Sequence, residues 1–132
     1  MKILAIIQSR SNSNRLPKKS LLPIGGIPNT LLIAKRCSSK KYDTVVATSN
    51  KKSDDLLARL LKKSKINCFR GSLNNVRNRF LECSRHLKNE DIVIRLTADN
   101  VFVDNKIIEK VLKEYKNKKI NYVYIDNKFS NL

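Results

Sequence analysis

The sequence predicts an α/β domain built on an open, mostly parallel sheet with helices on both faces. Three observations carry that expectation. Strand-like and helix-like segments alternate along the chain, the first strand is one continuous apolar run, and 132 residues with 41% apolar side chains suffice for one packed core rather than two.

Residues 3–7 form that apolar run, bounded by polar residues. This is the pattern of a parallel strand covered on both faces, which places it near the middle of the sheet. A long polar loop, 8–21, follows. A helix then begins near Pro28, where proline suits the first turn, and runs through Leu31, Leu32 and Ala34 to about Ser38. Residues 42–48 (YDTVVAT) are rich in β-branched side chains and read as the second strand. Ser53 offers an N-cap, with Asp54 and Asp55 in the first turn of a helix whose leucines at 56, 57, 60 and 61 keep helical spacing. Residues 66–69 make a short third strand. A helix over 75–87 then carries Val76, Phe80, Leu81 and Leu87 on one side. Residues 91–96 form the fourth strand, and a helix over 105–115 turns Ile107, Ile108, Val111, Leu112 and Tyr115 inward. Residues 121–125 form the last strand.

The net charge of +17 points to anionic partners, although lysine pairs such as Lys40-Lys41 and Lys62-Lys63 read equally well as solvated surface. Nucleic acid ranks last among those partners, because aromatic stacking residues are sparse and tryptophan is absent. The cysteines at 37, 68 and 83 are odd in number and form no CxxC pair. That argues against a disulfide framework or structural zinc site and for a reducing compartment. The apolar start is too short for a signal peptide and no segment reaches transmembrane length, so a cytoplasmic protein without membrane partners is expected.

In open parallel sheets ligands bind outside the carboxyl ends of the strands, so the loops after the first, second and fourth strands are the places to look. The first loop sets Arg10, Arg15, Lys18 and Lys19 among Ser11, Asn12, Ser13 and Asn14. Guanidinium forks, ammonium charges and small residues that let backbone amides turn inward suit a polyphosphate. Composition alone divides evenly between such a cradle and an ordinary basic loop, and its position after a central strand favours the cradle. Neither the Walker spacing nor GxGxxG is present.

The segment AIIQSRSNSNRLPKKSLLPIGGIP resembles the opening signature, R-x-x-S-x-R-L-P-x-K, of the bacterial cytidylyltransferase family. That family includes CMP-sialic acid synthetases and spore-coat polysaccharide biosynthesis proteins. Residues 45–50 (VVATSN), 68–80 (CFRGSLNNVRNRF) and 94–104 (IRLTADNVFVD) resemble later blocks in the same order. The resemblance implies a Rossmann-like fold of the nucleotide-diphospho-sugar transferase type. It implies a nucleotidyltransferase that passes CMP from CTP to a sugar acid, releasing pyrophosphate, in surface-polysaccharide biosynthesis. Arg10, Ser13, Arg15 and Lys19 would bind the phosphates, with Arg10 and Lys19 as catalytic groups balancing charge on the leaving pyrophosphate. Asp99 would help hold Mg²⁺. Thr48, Ser49, Arg70 and Gly71 would lie near base and ribose.

Other roles stand beside these. Asp99 could cap the turn that follows it, Gly25 and Gly26 could form only a turn, Arg77 and Arg79 could be solvated, and Arg95 could pair with a carboxylate. Departures from the family pattern are Ser9 in place of alanine, Asn12 and Lys18 in place of glycine, and TADNV in place of TGDCP. Asn12 tolerates a left-handed backbone and could keep the turn, which Lys18 does less easily. Family members run for nearly as much chain again, with a second acidic metal ligand, acceptor contacts and much of a homodimer interface. The expectation is therefore an N-terminal half: a truncated product, part of a split enzyme, or a nucleotide-binding remnant without turnover.

Overall fold

The computed structural model describes residues 1–12, 15–118 and 120–125. In chain order the elements are β1 (Ile3–Gln8), β2 (Pro23–Ile24), β3 (Ile27–Pro28), α1 (Asn29–Cys37), β4 (Asp43–Ser49), α2 (Asp55–Lys63), β5 (Asn67–Gly71), α3 (Val76–Cys83), β6 (Ile92–Thr97) and α4 (Asn105–Lys118). Four strands pair in the order β5-β4-β1-β6, every pair parallel. This is a Rossmann-like open sheet, with the apolar run of β1 inside it as its sequence requires.

Successive side chains of a strand point to opposite faces, and the two faces of this sheet hold separate clusters. Ala5, Ile7 and Val46 pack with Leu31, Ile33 and Ala34 of α1, Leu57 and Leu61 of α2, and Ile108 and Leu112 of α4. Leu4, Ile6 and Ala47 pack on the other face with Cys83 and Phe80 of α3. Ala5, Ile6 and Ile7 are wholly buried, so each isoleucine contributes about 1.5–3 kcal/mol relative to leaving it exposed.

Gln8, the last residue of β1, lies level with Thr97, the last of β6, so these two strands end at one height and their following loops meet there, while β4 runs two residues past Ala47, which faces Gln8, to Ser49. The polar loop closes through the hairpin β2–β3. Its turn residues Gly25 and Gly26 have φ of +57° and +80°, which a tight two-residue hairpin demands and a side chain resists. The hairpin escapes sequence periodicity because two-residue strands carry none.

Several expectations are corrected. Residues 121–125 join no sheet: Tyr122 and Tyr124 are exposed and tilt toward each other at 6.0 Å. Their strand-like alternation is a local preference, which does not by itself dock the segment on the outer edge of β5 or β6. Ser53 is not an N-cap; it sits in a short 3₁₀ turn, Lys52–Asp54, ahead of α2. The third helix ends at Cys83, four residues short of Leu87, and leaves Leu81 exposed. Ile107 is also part exposed. Arg95 lies over the Phe80 ring at 5.6 Å, a cation–π contact, with no carboxylate in ion-pair contact among the described residues. Arg79, allowed as a solvated position, is fully buried.

Candidate functional site

The ends of β1 and β6 support a cleft of about 180 Å³, lined by Gln8, Ser9, Arg10, Lys19, Thr97 and Asp99 among others. The first residues of the loop are held in place by short polar contacts. Ser9 N–H donates to the Ala47 carbonyl at 3.1 Å, and the Ser9 and Thr30 hydroxyls share a hydrogen bond of 2.7 Å. Ser11 and Ser20 hydroxyls are 3.2 Å apart, and the Ser11 carbonyl accepts from Lys18 N–H at 3.0 Å, which closes the loop on itself. Across the cleft, Asn29 Nδ2 donates to the Ala98 carbonyl at 3.0 Å, and Ala98 N–H donates to the Gln8 carbonyl at 3.0 Å.

Asp54 organises the junction from below. Its carboxylate is fully buried and accepts from Ser11 N–H at 2.6 Å, from Ser49 N–H at 3.0 Å and from the Ser49 hydroxyl. Burial would push this carboxyl up, but the donors from Ser49 and Ser11 outweigh it and hold the group below the usual carboxylate range. One side chain thus joins the start of the basic loop to the end of β4. Spacing showed Asp54 only as a first-turn helix residue. Its real partners are 43 and 5 residues away, and nothing local announces the first of them.

Two of the expected phosphate residues and the expected metal residue meet in the cleft. Arg10 is exposed at its wall. Lys19, in a 3₁₀ turn, reaches across to Asp99 with Nζ 2.6 Å from Oδ1. Their side chains are 42% and 71% exposed, so the pair contributes about 0–1 kcal/mol and an incoming ligand can open it cheaply. Asp99 does not cap its turn; Asn100 does that, accepting from Phe102 N–H at 3.2 Å.

The remaining expected residues lie apart from that meeting point. Arg15 is exposed on the loop and does not line the cleft. Ser13 lies outside the described residues. Thr48 and Ser49 have fully buried side chains and do not line the cleft. Arg70 faces a second, shallower depression with Asp55, Arg59 and Lys62, donating to the carbonyls of Ser49 and Lys51 at 3.0 and 2.9 Å and to Asp55 at 2.6 Å. Gly71 is buried: a Cβ there would sit 2.9 Å from Phe69 and 3.0 Å from Arg79 Cγ, which explains the glycine by packing.

Lys18 takes the left-handed conformation, φ +57°, where glycine is the easier residue. Asn12, the residue expected to keep a left-handed turn, is not among the positive-φ positions. No group of three or more His, Cys, Asp or Glu side chains among the described residues could by itself hold a metal. No helix among them is long and apolar enough to cross a membrane.

Similarity to known proteins follows the same architecture. An uncharacterized protein of Methanocaldococcus jannaschii is 36% identical over 129 residues, covering 96% of this chain and 53% of that one. The spore coat polysaccharide biosynthesis protein SpsF of Bacillus subtilis is 34% identical over 131 residues, covering 95% and 54%. This chain thus spans about half the length of these curated relatives. The solved cytidylyltransferase of Leptospira borgpetersenii superposes with a TM-score of 0.80 at 32% identity, over 90% of this chain and 50% of that one. A CMP:2-keto-3-deoxy-manno-octonic acid synthetase complexed with CTP shares the fold at a TM-score of 0.75 and 21% identity, over 90% and 49%. The family model described as cytidylyltransferase matches residues 4–131, and this chain is a member of that family.

Proposed function

We propose that the cleft binds the triphosphate of CTP and that the chain serves a nucleotidyl transfer to a sugar-acid hydroxyl in surface-polysaccharide biosynthesis, in the cytoplasm. The observation that carries this is the convergence of Arg10, Lys19 and Asp99 at the carboxyl end of the central strand. Membership of the cytidylyltransferase family supports CTP as donor, the name of SpsF supports polysaccharide biosynthesis, and the name of the octonic acid synthetase supports a sugar-acid acceptor.

Arg10 offers a planar fork for phosphate oxygens and Lys19 a point charge, so together they orient the chain of phosphates and balance charge on departing pyrophosphate. Arg15 and Ser13 belong to the same loop and would add contacts from its outer turn. Thr48 and Ser49 would support the nucleoside side from beneath, with Arg70 and Gly71 at its edge.

Mg²⁺ fits this donor set as a shared site. Asp99 is an exposed carboxylate on the cleft, and this hard cation commonly takes one or two carboxylates with phosphate oxygens and waters. When bound, the ion would neutralise phosphate charge. The protein's own contribution is positioning and electrostatics, because phosphoryl chemistry asks little covalent work of it.

Binding without turnover is the second reading, favoured by one observation: Asp99 is the single carboxylate lining the cleft among the described residues, and it is already engaged by Lys19. Calorimetry with CTP, together with pyrophosphate release in the presence of Mg²⁺ and candidate sugar acids, separates the two. Binding with product supports transfer, and binding without product under any acceptor supports the second reading. Arg10→Ala and Lys19→Ala should each weaken CTP binding about 10-fold or more, the scale of a charge-assisted phosphate contact. Unchanged affinity in both would refute the site.

A further inference from the structure

Arg79 is the largest fully buried side chain among the described residues, and it is incompletely partnered. Its Nη1 donates to the Ser72 carbonyl at 2.6 Å and, more weakly, to the Leu73 carbonyl at 3.4 Å. Nε and Nη2 have no hydrogen-bond partner among the described residues, and no carboxylate there pairs with the guanidinium. The stem passes against the bare Cα of Gly71, where a methyl group would press on Arg79 Cγ.

Electrostatics make the arrangement more unusual. Burial works against the charged form of Arg79, and the like charge of Arg10 works against it further. Asp54 is the one opposite charge that helps, and its carboxylate already accepts from Ser11 and Ser49. A buried guanidinium without an ion pair is a local violation of the rule that buried charges are matched, and such violations concentrate at functional sites.

The structure points to a reason. The Ser72 and Leu73 carbonyls follow Gly71, which lies opposite Ser49 of β4, and Asp54 ties Ser49 to Ser11, the neighbour of the cleft residue Arg10. We propose that Arg79 is a positioning residue of the nucleotide site. Its guanidinium fixes the Ser72–Leu73 turn and sets a positive potential behind Arg10, so that a polyphosphate supplies the negative charge this corner of the protein lacks. The inference rests on the nucleotide reading above and adds a buried residue to it.

The test uses Arg79→Met, which keeps the length of the stem and removes the charge. Because the buried charge opposes folding, this variant is expected to unfold at the same temperature as the parent or higher. Its CTP affinity should fall about 10-fold or more, with a smaller fall for CMP and none for cytidine, since the loss follows phosphate charge. Arg79→Lys, which keeps the charge, should recover most CTP affinity.

A folded Met variant that binds CTP within about 2-fold of the parent overturns the proposal, as does an equal loss for CTP and cytidine, which would mark a packing effect. If the Met variant does not fold, Arg79→Gln retains a donor for the Ser72 carbonyl and must show the same ligand order. Failure of both to fold would make Arg79 purely structural and overturn the proposal too. A parent chain that binds no CTP refutes the nucleotide reading itself, which is a separate result.

Discussion

Replacement of Asp54 by alanine is the sharpest test of how the loop is anchored. The carboxylate is fully buried and accepts from two backbone N–H groups, of Ser11 and Ser49, and from the Ser49 hydroxyl. Alanine leaves both N–H groups without that acceptor, and each buried donor left unmade costs about 1–3 kcal/mol. Taking about 4 kcal/mol for the pair, a chain of this length should lose roughly 10–15 °C in Tm. Thermal unfolding followed by far-UV circular dichroism measures it, and a loss under about 3 °C would refute the anchoring argument. The same variant should bind CTP more weakly, because Ser11 opens the basic loop. Acid provides an independent check. The Asp54 carboxyl is held below its unfolded value, so its contribution to stability is fully present above about pH 4 and is lost as pH falls through the folded value. Asp54→Asn keeps the shape and cannot titrate. Its stability should therefore fall less steeply than the parent's below about pH 4, and identical acid profiles would remove Asp54 from the acid transition.

Three further outcomes are expected. Lys18→Gly should relieve left-handed strain worth about 1 kcal/mol, partly offset by the freedom glycine has when unfolded, and leave Tm unchanged or up to about 3 °C higher; a clear drop would show that the Lys18 side chain does structural work there. Asp99→Asn frees Lys19 from its ion pair and should tighten metal-free CTP up to about 5-fold while weakening the Mg²⁺ dependence of binding, both read by calorimetry with EDTA or Mg²⁺; equal metal dependence in variant and parent would exclude Asp99 from the metal. Cys37 and Cys83 are buried, and burial pushes both thiols up to about 11, so neither should react with a thiol reagent near pH 8 until the chain unfolds; fast labelling of either in the native protein would contradict the packing of the two cores.

Much of this fold could be read from short-range pattern, for physical reasons that differ by element. The strand β1 was legible because burial on both faces leaves an uninterrupted apolar run, and the glycine pair announced the turn between Ile24 and Ile27. Residues 121–125 misled because alternation reports a local backbone preference and not whether the segment docks on a sheet, although the outer edges of β5 and β6 stand open among the described residues. Within the cleft, Arg10, Lys19 and Asp99 do come together: Arg10 and Asp99 sit just beyond β1 and β6, which end level with each other, and the fold of the basic loop carries Lys19 back across to Asp99. Asp54 and Arg79 escaped for the opposite reason. A charged side chain is read as solvated unless its distant partners are known, and the partners of Asp54 include a backbone group 43 residues away. The inward position of Arg79 did have a local sign: Val76, Arg79, Phe80 and Cys83 share one helical face.

The placement of β1 between β4 and β6 also shapes how the chain reaches its native state. Ile3 pairs with Ile92, so β1 waits for the much later β6 before its second edge is covered. At ribosomal speeds of about 5–20 residues per second, that interval is on the order of 5–20 s. During it the stretch ILAIIQ, uncharged and without proline, has the composition of a segment prone to intermolecular β-pairing. Yield from the cell should therefore depend on what shields residues 3–8 during synthesis, a vulnerability that the finished sheet conceals.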